Sequence, residues 1–364
     1  MSTPVHAYGY EMVAPGAPPR RTLRHFTGLA YDEALIEVAG CGICHTDLGF
    51  LDHGVRTRHA LPLILGHEIS GVVQAAGHQA THLVGRPVVV PAVIPCGKCP
   101  ECKAGRSMIC KHQVFPGNDR DGGWASHVVV PAHALCEVPG ASTDPDEPLP
   151  GQPELTLRHL AVIADAVSTP FAALTRANVG EGDVVIVVGL GGVGGYCAQI
   201  AAALGAFVVG LDVSEAKLAM AASLGCGLAL DPRADDARAL KKRIGEWVAA
   251  QGGASTRWVI AECSGTVPGQ RTAWGLLVHG AKLLVVGYTM DSIELRLSNL
   301  MAFDAEAIGN WGCPPELYPA VVRLVLDGKI DLASHTVFRP LDNLVEALHD
   351  VRTHAEARRV VLVP

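Results

Sequence analysis

Four cysteines, Cys96, Cys99, Cys102 and Cys110, fall within fifteen residues at gaps of two, two and seven. Thiolates at that spacing can close on one tetrahedral Zn²⁺. The alternatives are unrelated buried thiols, or two disulfides in an exported protein. A closed site of four cysteines leaves no open coordination position, so reaction chemistry has to lie elsewhere. Two glycine-rich turns offer it: Gly40-Cys41-Gly42-Ile43-Cys44-His45-Thr46-Asp47 and Gly66-His67-Glu68-Ile69-Ser70-Gly71. A cysteine, a histidine and neighbouring acids brought from separate loops make a candidate open zinc site, with three protein ligands and one position for a substrate oxygen.

A third constellation points to a nucleotide. The β-branched run Asp183–Val188 leads into Gly189-Leu190-Gly191-Gly192-Val193-Gly194, followed by an alanine-rich stretch from Tyr196 to Leu204. A glycine turn between a buried strand and a helix lets the backbone approach a pyrophosphate, and the helix N-terminus favours the anion. The next strand, Ala206–Leu211, ends in Asp212, eighteen residues after Gly194. A carboxylate there accepts hydrogen bonds from ribose hydroxyls and repels a 2′-phosphate, which predicts NAD over NADP.

The elements needed to hold these residues are legible in outline. Short Val-, Ile- and Ala-rich runs bounded by Gly and Pro predict strands at 34–39, 69–76, 87–91, 126–130 and 135–138. Further strands are predicted at 258–261 and 282–287, with a helix at 269–278 between them. Apolar spacing predicts helices at 316–327 and 341–352, and a last strand at 358–362. The Pro- and acid-rich stretch 140–153 reads as a surface loop. At 364 residues, with 49% apolar and 18% charged residues, the chain suits about two well-buried domains. A net charge of -7 gives no general attraction to nucleic acid or to an anionic membrane. No apolar run is long enough for a membrane span and the first nineteen residues carry no export signal. With eleven cysteines, that leads to the expectation of reduced thiols in a cytoplasmic protein.

Gly66-His67-Glu68-x-x-Gly71-x₅-Gly77, with Cys44 before it and the cysteine lobe after it, resembles the zinc-dependent medium-chain alcohol dehydrogenases over essentially the whole chain. The resemblance implies an α/β protein. It would comprise a GroES-like β-rich catalytic domain at 1–165, a Rossmann doubly wound parallel sheet at 166–303 and a return segment at 304–364. It implies a catalytic zinc on Cys44, His67 and a third ligand that falls at Asp165, with Glu68 as a spare carboxylate, and a structural zinc on the four clustered cysteines. Thr46 matches the hydroxyl that takes the substrate proton, and Asp47 the acid that orients the metal-bound imidazole. The histidine that ends the family's proton relay would fall at Gly49, so this chain departs from the pattern there. His45 and Arg359 match pyrophosphate contacts, Lys217 a ribose contact, and Thr169 lies where the nicotinamide is expected. The stretch Ile293–Leu297 matches the segment that pairs across a two-fold axis, so a homodimer or homotetramer is implied.

Three stretches are similar to one branch, the 6-hydroxycyclohex-1-ene-1-carbonyl-CoA dehydrogenases of anaerobic benzoyl-CoA degradation: Ala164–Pro170, Val90–Cys96, and Pro116–Asn118 with Gly122–Ser126. That similarity implies a cyclic acyl-CoA substrate oxidised to the 6-oxo product, with Arg56, Arg58, Arg120 and Arg158 available for its phosphates. The alternatives on the same fold are a general NAD alcohol or polyol dehydrogenase and a 1,4-enoyl reductase. From another class stands a non-catalytic NAD-binding zinc sensor.

Overall fold

A computed structural model describes residues 5–253 and 257–364. The chain divides into two compact units: the described part of Met1–Ser168 together with Gly312–Pro364, and the described part of Thr169–Trp311. No single helix among the described residues is long and apolar enough to cross a membrane.

The first unit is built from β1 (Val5–Met12), β2 (Arg20–Phe26), β3 (Glu33–Gly42), β4 (Leu63–Ile64), β5 (Glu68–Ala76), β6 (Pro87–Val90), β7 (His127–Pro131) and β8 (Cys136–Glu137). β3 is its hub. It pairs antiparallel with β5 on one side and with both β7 and the chain's last strand on the other. Its residues alternate poorly because almost all are buried, as a strand covered on both faces requires. The core it organises includes Ile36, Val38, Ile69, Val88 and the fully buried Trp124. The hairpin of β1 and β2 was not legible in the sequence. β2 reads Arg-Arg-Thr-Leu-Arg-His-Phe, with exposed charged side chains and little apolar alternation, and only its pairing with β1 makes it a strand.

The second unit holds β9 (Val184–Val188), β10 (Phe207–Leu211), β11 (Leu228–Leu230), β12 (Trp258–Glu262), β13 (Lys282–Val285) and β14 (Glu306–Gly309). Their order is β11-β10-β9-β12-β13-β14, and every pairing is parallel. This is the doubly wound Rossmann arrangement, whose order reverses between β9 and β12. All five residues of β9 are buried, as the continuous valine run implies. β14 lies in the stretch read from sequence as the return; here it completes the sheet, and the unit runs on to Trp311. Ile293–Leu297, expected to be extended, is assigned to no strand among the described residues. The chain then re-enters the first unit, adding β15 (Thr336–Pro340) and β16 (Arg359–Val363), with β16 against β3.

Candidate metal centre and cofactor turn

At the end of β3 the chain turns into the helix His45–Asp52, with Cys44 as its N-cap in extended conformation. The Asp47 carboxylate reaches back to the cap: Oδ2 accepts the Cys44 N–H at 2.9 Å and Oδ1 the Gly66 N–H at 3.3 Å. The capping contact that starts the helix therefore also joins two loops. It fixes Cys44, whose Sγ lies 3.6 Å from Thr46 Oγ1 and 3.7 Å from Asp165 Oδ2.

His67 follows Gly66, which sits at φ +93°; a Cβ there would come within 2.4 Å of the Trp124 ring. The imidazole is buried edge-on against Phe115 at 4.9 Å. Its Nδ1 lies 3.5 Å from Asp47 Oδ1, and its Nε2 lies 3.4 Å from Asp165 Oδ2. Burial alone would lower its pKa, but the carboxylates of Asp47 and Asp165 push it well above the ordinary value. Glu68, wholly buried, begins β5 opposite Gly42, where a Cβ would meet the carboxylate at 2.0 Å. Both Glu68 oxygens are taken by Arg359, with Nε donating to Oε2 at 3.0 Å and Nη2 to Oε1.

One ligand atom from each of Cys44, His67, Glu68 and Asp165 lies within 4.8 Å of the others. A tetrahedral zinc, with bonds near 2.3 Å to sulfur and 2.0 Å to nitrogen or oxygen, has ligand–ligand edges of about 3.3–3.8 Å. The observed edges of 3.4 Å and 3.7 Å at Asp165 fit that figure. Thiol, imidazole and carboxylate are suitable zinc donors, and the carboxylates around His67 favour a cation in their midst. Glu68 is in addition ion-paired with Arg359.

Cys96, Cys99, Cys102 and Cys110 form a second such cluster. Cys99 Sγ lies 3.4 Å from Cys102 Sγ and 3.7 Å from Cys110 Sγ, the edges expected of a four-thiolate zinc. The N–H groups of Cys96 and His112 both donate to Cys110 Sγ at 3.3 Å. The Cys96 pKa is held down chiefly by the Lys98 N–H. All eleven cysteines are free, so the disulfide alternative falls.

In the second unit β9 runs into the glycine turn and on to the helix Gly194–Ala203. Gly189 has φ +92°, and a Cβ on Gly194 would stand 1.8 Å from the Gly189 carbonyl, so the turn tolerates no side chain there. Gly191, Gly192 and Val193 remain partly exposed. Asp212 closes β10, its Oδ2 accepting the Leu190 N–H at 2.8 Å and its Oδ1 the Ser214 N–H at 2.9 Å. Lys217 Nζ stands 3.8 Å from Asp212 Oδ2. Thus the turn, Asp212 and Lys217 are gathered at one end of the sheet, open to a dinucleotide. Thr169 lies near the start of the helix Ser168–Ala177, its carbonyl accepting from Asn310 Nδ2 at 3.2 Å.

Of the remaining expectations, His45 is exposed and stacks on His354 at 6.0 Å. Arg359, expected at a pyrophosphate, has two of its guanidinium nitrogens committed to Glu68. The sequence carries no sign of that pairing, because β5 and β16 are both joined to β3 and the partners lie 291 residues apart. Three of the arginines considered for CoA phosphates have carboxylate partners: Arg58 with Asp119, Arg120 with Glu33 and Arg158 with Asp146. Arg56 is exposed.

Comparison with known proteins agrees with this architecture. Residues 30–140 match the alcohol dehydrogenase GroES-like domain, and residues 192–327 match the zinc-binding dehydrogenase family. An L-galactonate-5-dehydrogenase of Escherichia coli is 30% identical over 304 residues, covering 82% of each chain. An alcohol dehydrogenase of Geobacillus stearothermophilus is 28% identical over 92% of this chain and 93% of its own. The crystal structure of Escherichia coli galactitol-1-phosphate dehydrogenase superposes with a TM-score of 0.82 at 25% identity, covering 98% of this chain and all of the other. The chain belongs to the zinc-dependent medium-chain alcohol dehydrogenase family. It is an oxidoreductase acting on CH–OH groups, with zinc and a nicotinamide dinucleotide as its cofactors.

Proposed function

We propose that this protein oxidises a secondary alcohol to a ketone with NAD⁺, at a zinc held by Cys44, His67 and Asp165. The observation that carries the reading is the convergence of those three donors, with Asp47 behind the imidazole. Zinc in such a site acts as a Lewis acid that makes an alcohol easier to deprotonate, and the nicotinamide accepts the hydride. The protein's own part is positional. Asp47 holds Cys44 and His67 in register, Arg359 neutralises Glu68 beside them, and the Thr46 hydroxyl is placed to take the alcohol proton. With Gly49 where the family has a relay histidine, that proton leaves through water, His53 or a cofactor hydroxyl. In balance, R₂CHOH and NAD⁺ give R₂C=O, NADH and H⁺. Asp212 at the ribose end supports NAD over NADP.

The substrate class is supported from two directions. Relatives named for sugar-alcohol and sugar-acid oxidation favour a small polyol, and the pairing of Arg58, Arg120 and Arg158 with carboxylates weakens the case for CoA phosphates. The three stretches similar to the cyclic acyl-CoA branch favour 6-hydroxycyclohex-1-ene-1-carbonyl-CoA. We take the polyol reading as the leading one. NADH formation is measured with a polyol panel, simple cyclohexanols and the CoA ester. Turnover with free alcohols and none with the ester supports the polyol reading; turnover with the ester alone replaces it. Cofactor binding without turnover on any of them, or on an enoyl acceptor with NADH, would sink the dehydrogenase reading and leave a zinc-containing sensor.

A further inference from the structure

Cys44 and His67 are both fixed through Asp47, but Asp165 is supplied from a different part of the fold. It ends the 3₁₀ run Leu157–Ala164, and at φ −141°, ψ −60° the chain departs from helical geometry at the ligand itself. The last regular peptide group before it carries the Ala164 carbonyl, and three donors meet there. The wholly buried Tyr318 hydroxyl donates to the Ala164 oxygen at 2.5 Å, across 154 residues. The Ser168 hydroxyl lies 3.1 Å from that oxygen and 3.3 Å from the Tyr318 oxygen, so its single proton serves one or the other. The Ala92 N–H lies 3.3 Å from both oxygens. Tyr318 opens the helix Tyr318–Leu326, whose Val321, Val322 and Val325 are buried. A rigid element thus presents a phenol to the peptide immediately preceding the carboxylate.

We propose that Tyr318 is a positioning residue that fixes Asp165 as the third ligand of the metal centre, acting through the Ala164 carbonyl. This rests on the assignment of Cys44, His67 and Asp165 to zinc. The phenol touches neither metal nor substrate; it sets where the backbone turns, and hence where the Asp165 oxygens point. Partners that orient metal ligands from behind typically contribute 10- to 100-fold to metal affinity. The four-cysteine cluster shares none of these bonds and provides an internal control.

The test compares zinc release from the full-length protein to a chelator for wild type, Tyr318→Phe and Ser168→Ala, alongside the visible spectrum after Co²⁺ replacement. Wild type is expected to hold two zinc ions per chain. Tyr318→Phe should release one of them at least about tenfold faster, with an altered Co²⁺ band for that ion and unchanged release of the other. Ser168→Ala should act in the same direction and more weakly; it decides the matter if Tyr318→Phe does not fold. Release and spectra identical to wild type in the folded variants would reduce Tyr318 to a core residue. Loss of both zinc ions in parallel would do the same, because it reports general loosening. Wild-type protein holding only the four-cysteine zinc would overturn the metal assignment itself, and this inference with it.

Discussion

Asp47 and His67 are joined by a carboxylate that faces two ways. One oxygen lies 3.5 Å from the imidazole Nδ1, while the other accepts the N–H of Cys44, the residue that caps the next helix. A single side chain therefore caps a helix start and stands against the imidazole of the candidate metal centre. Asp47→Asn keeps the shape and removes the charge. It is expected to weaken binding of the open-site zinc by about 10- to 100-fold, with the four-cysteine zinc retained. Metal content after dialysis against graded chelator reads both; equal loss from the two sites would count against the orienting role.

The Glu68–Arg359 pair is buried on both sides, at 0% and 7% side-chain exposure. Removing one partner leaves an uncompensated charge in the interior, at a cost of about 3–5 kcal/mol. Glu68→Gln and Arg359→Met should each destabilise the protein by about that amount, whereas the double variant should recover a large part of it. Urea unfolding of all four proteins closes the cycle. Additive losses would mean the pair is not coupled.

Cofactor choice is expected to depend on Asp212. Its two oxygens already hold the N–H groups of Leu190 and Ser214, so Asp212→Asn is the gentlest change that removes the charge. Loss of a charge-assisted bond corresponds to about 1.5–3 kcal/mol. NAD⁺ affinity should fall by at least about tenfold while discrimination against NADP⁺ shrinks. Titration with both dinucleotides tests this, and an unchanged ratio of affinities would remove Asp212 from the selectivity argument.

His159 gives the fold an acid limit of its own. It is 8% exposed, packs edge-on against Phe338, and takes the Thr156 N–H on Nδ1. Burial lowers its pKa from 6.5 to about 4. Between those values the unfolded chain binds a proton that the folded chain refuses. Stability is therefore full above the unfolded pKa and falls as pH drops toward 4, by about 3 kcal/mol for this group. His159→Gln should flatten the acid limb of a melting-temperature profile relative to wild type. Parallel profiles would assign the acid loss to other groups.

What the sequence made legible were local patterns tied to strict geometry. The glycine turn, the valine strand before it, the cysteine spacing and the His67 turn all demand particular residues within a few positions. The strands expected at 69–76, 87–91, 183–188 and 206–211 have counterparts at nearly the same limits. Less visible was whatever depends on partners far along the chain. β2 is a strand because β1 lies beside it, and β14 belongs to the parallel sheet because β13 offers an edge. Glu68 reads as a spare ligand until Arg359 is seen against it. Tyr318 carries no motif at all, and its place beside Ala164 follows only from how the return segment packs.

That return segment also imposes an order on biosynthesis. Glu68 and Arg359 are separated by 291 residues, which a ribosome adding about 5–20 residues per second takes roughly 15–60 s to join. Through that interval a carboxylate destined for the interior has no cation, and β3 lacks the neighbour that β16 will provide. The second unit, Thr169–Trp311, is contiguous and emerges whole in the meantime. The nucleotide-binding half can therefore form on the nascent chain, while the half bearing the candidate metal centre waits for the last strand to be translated.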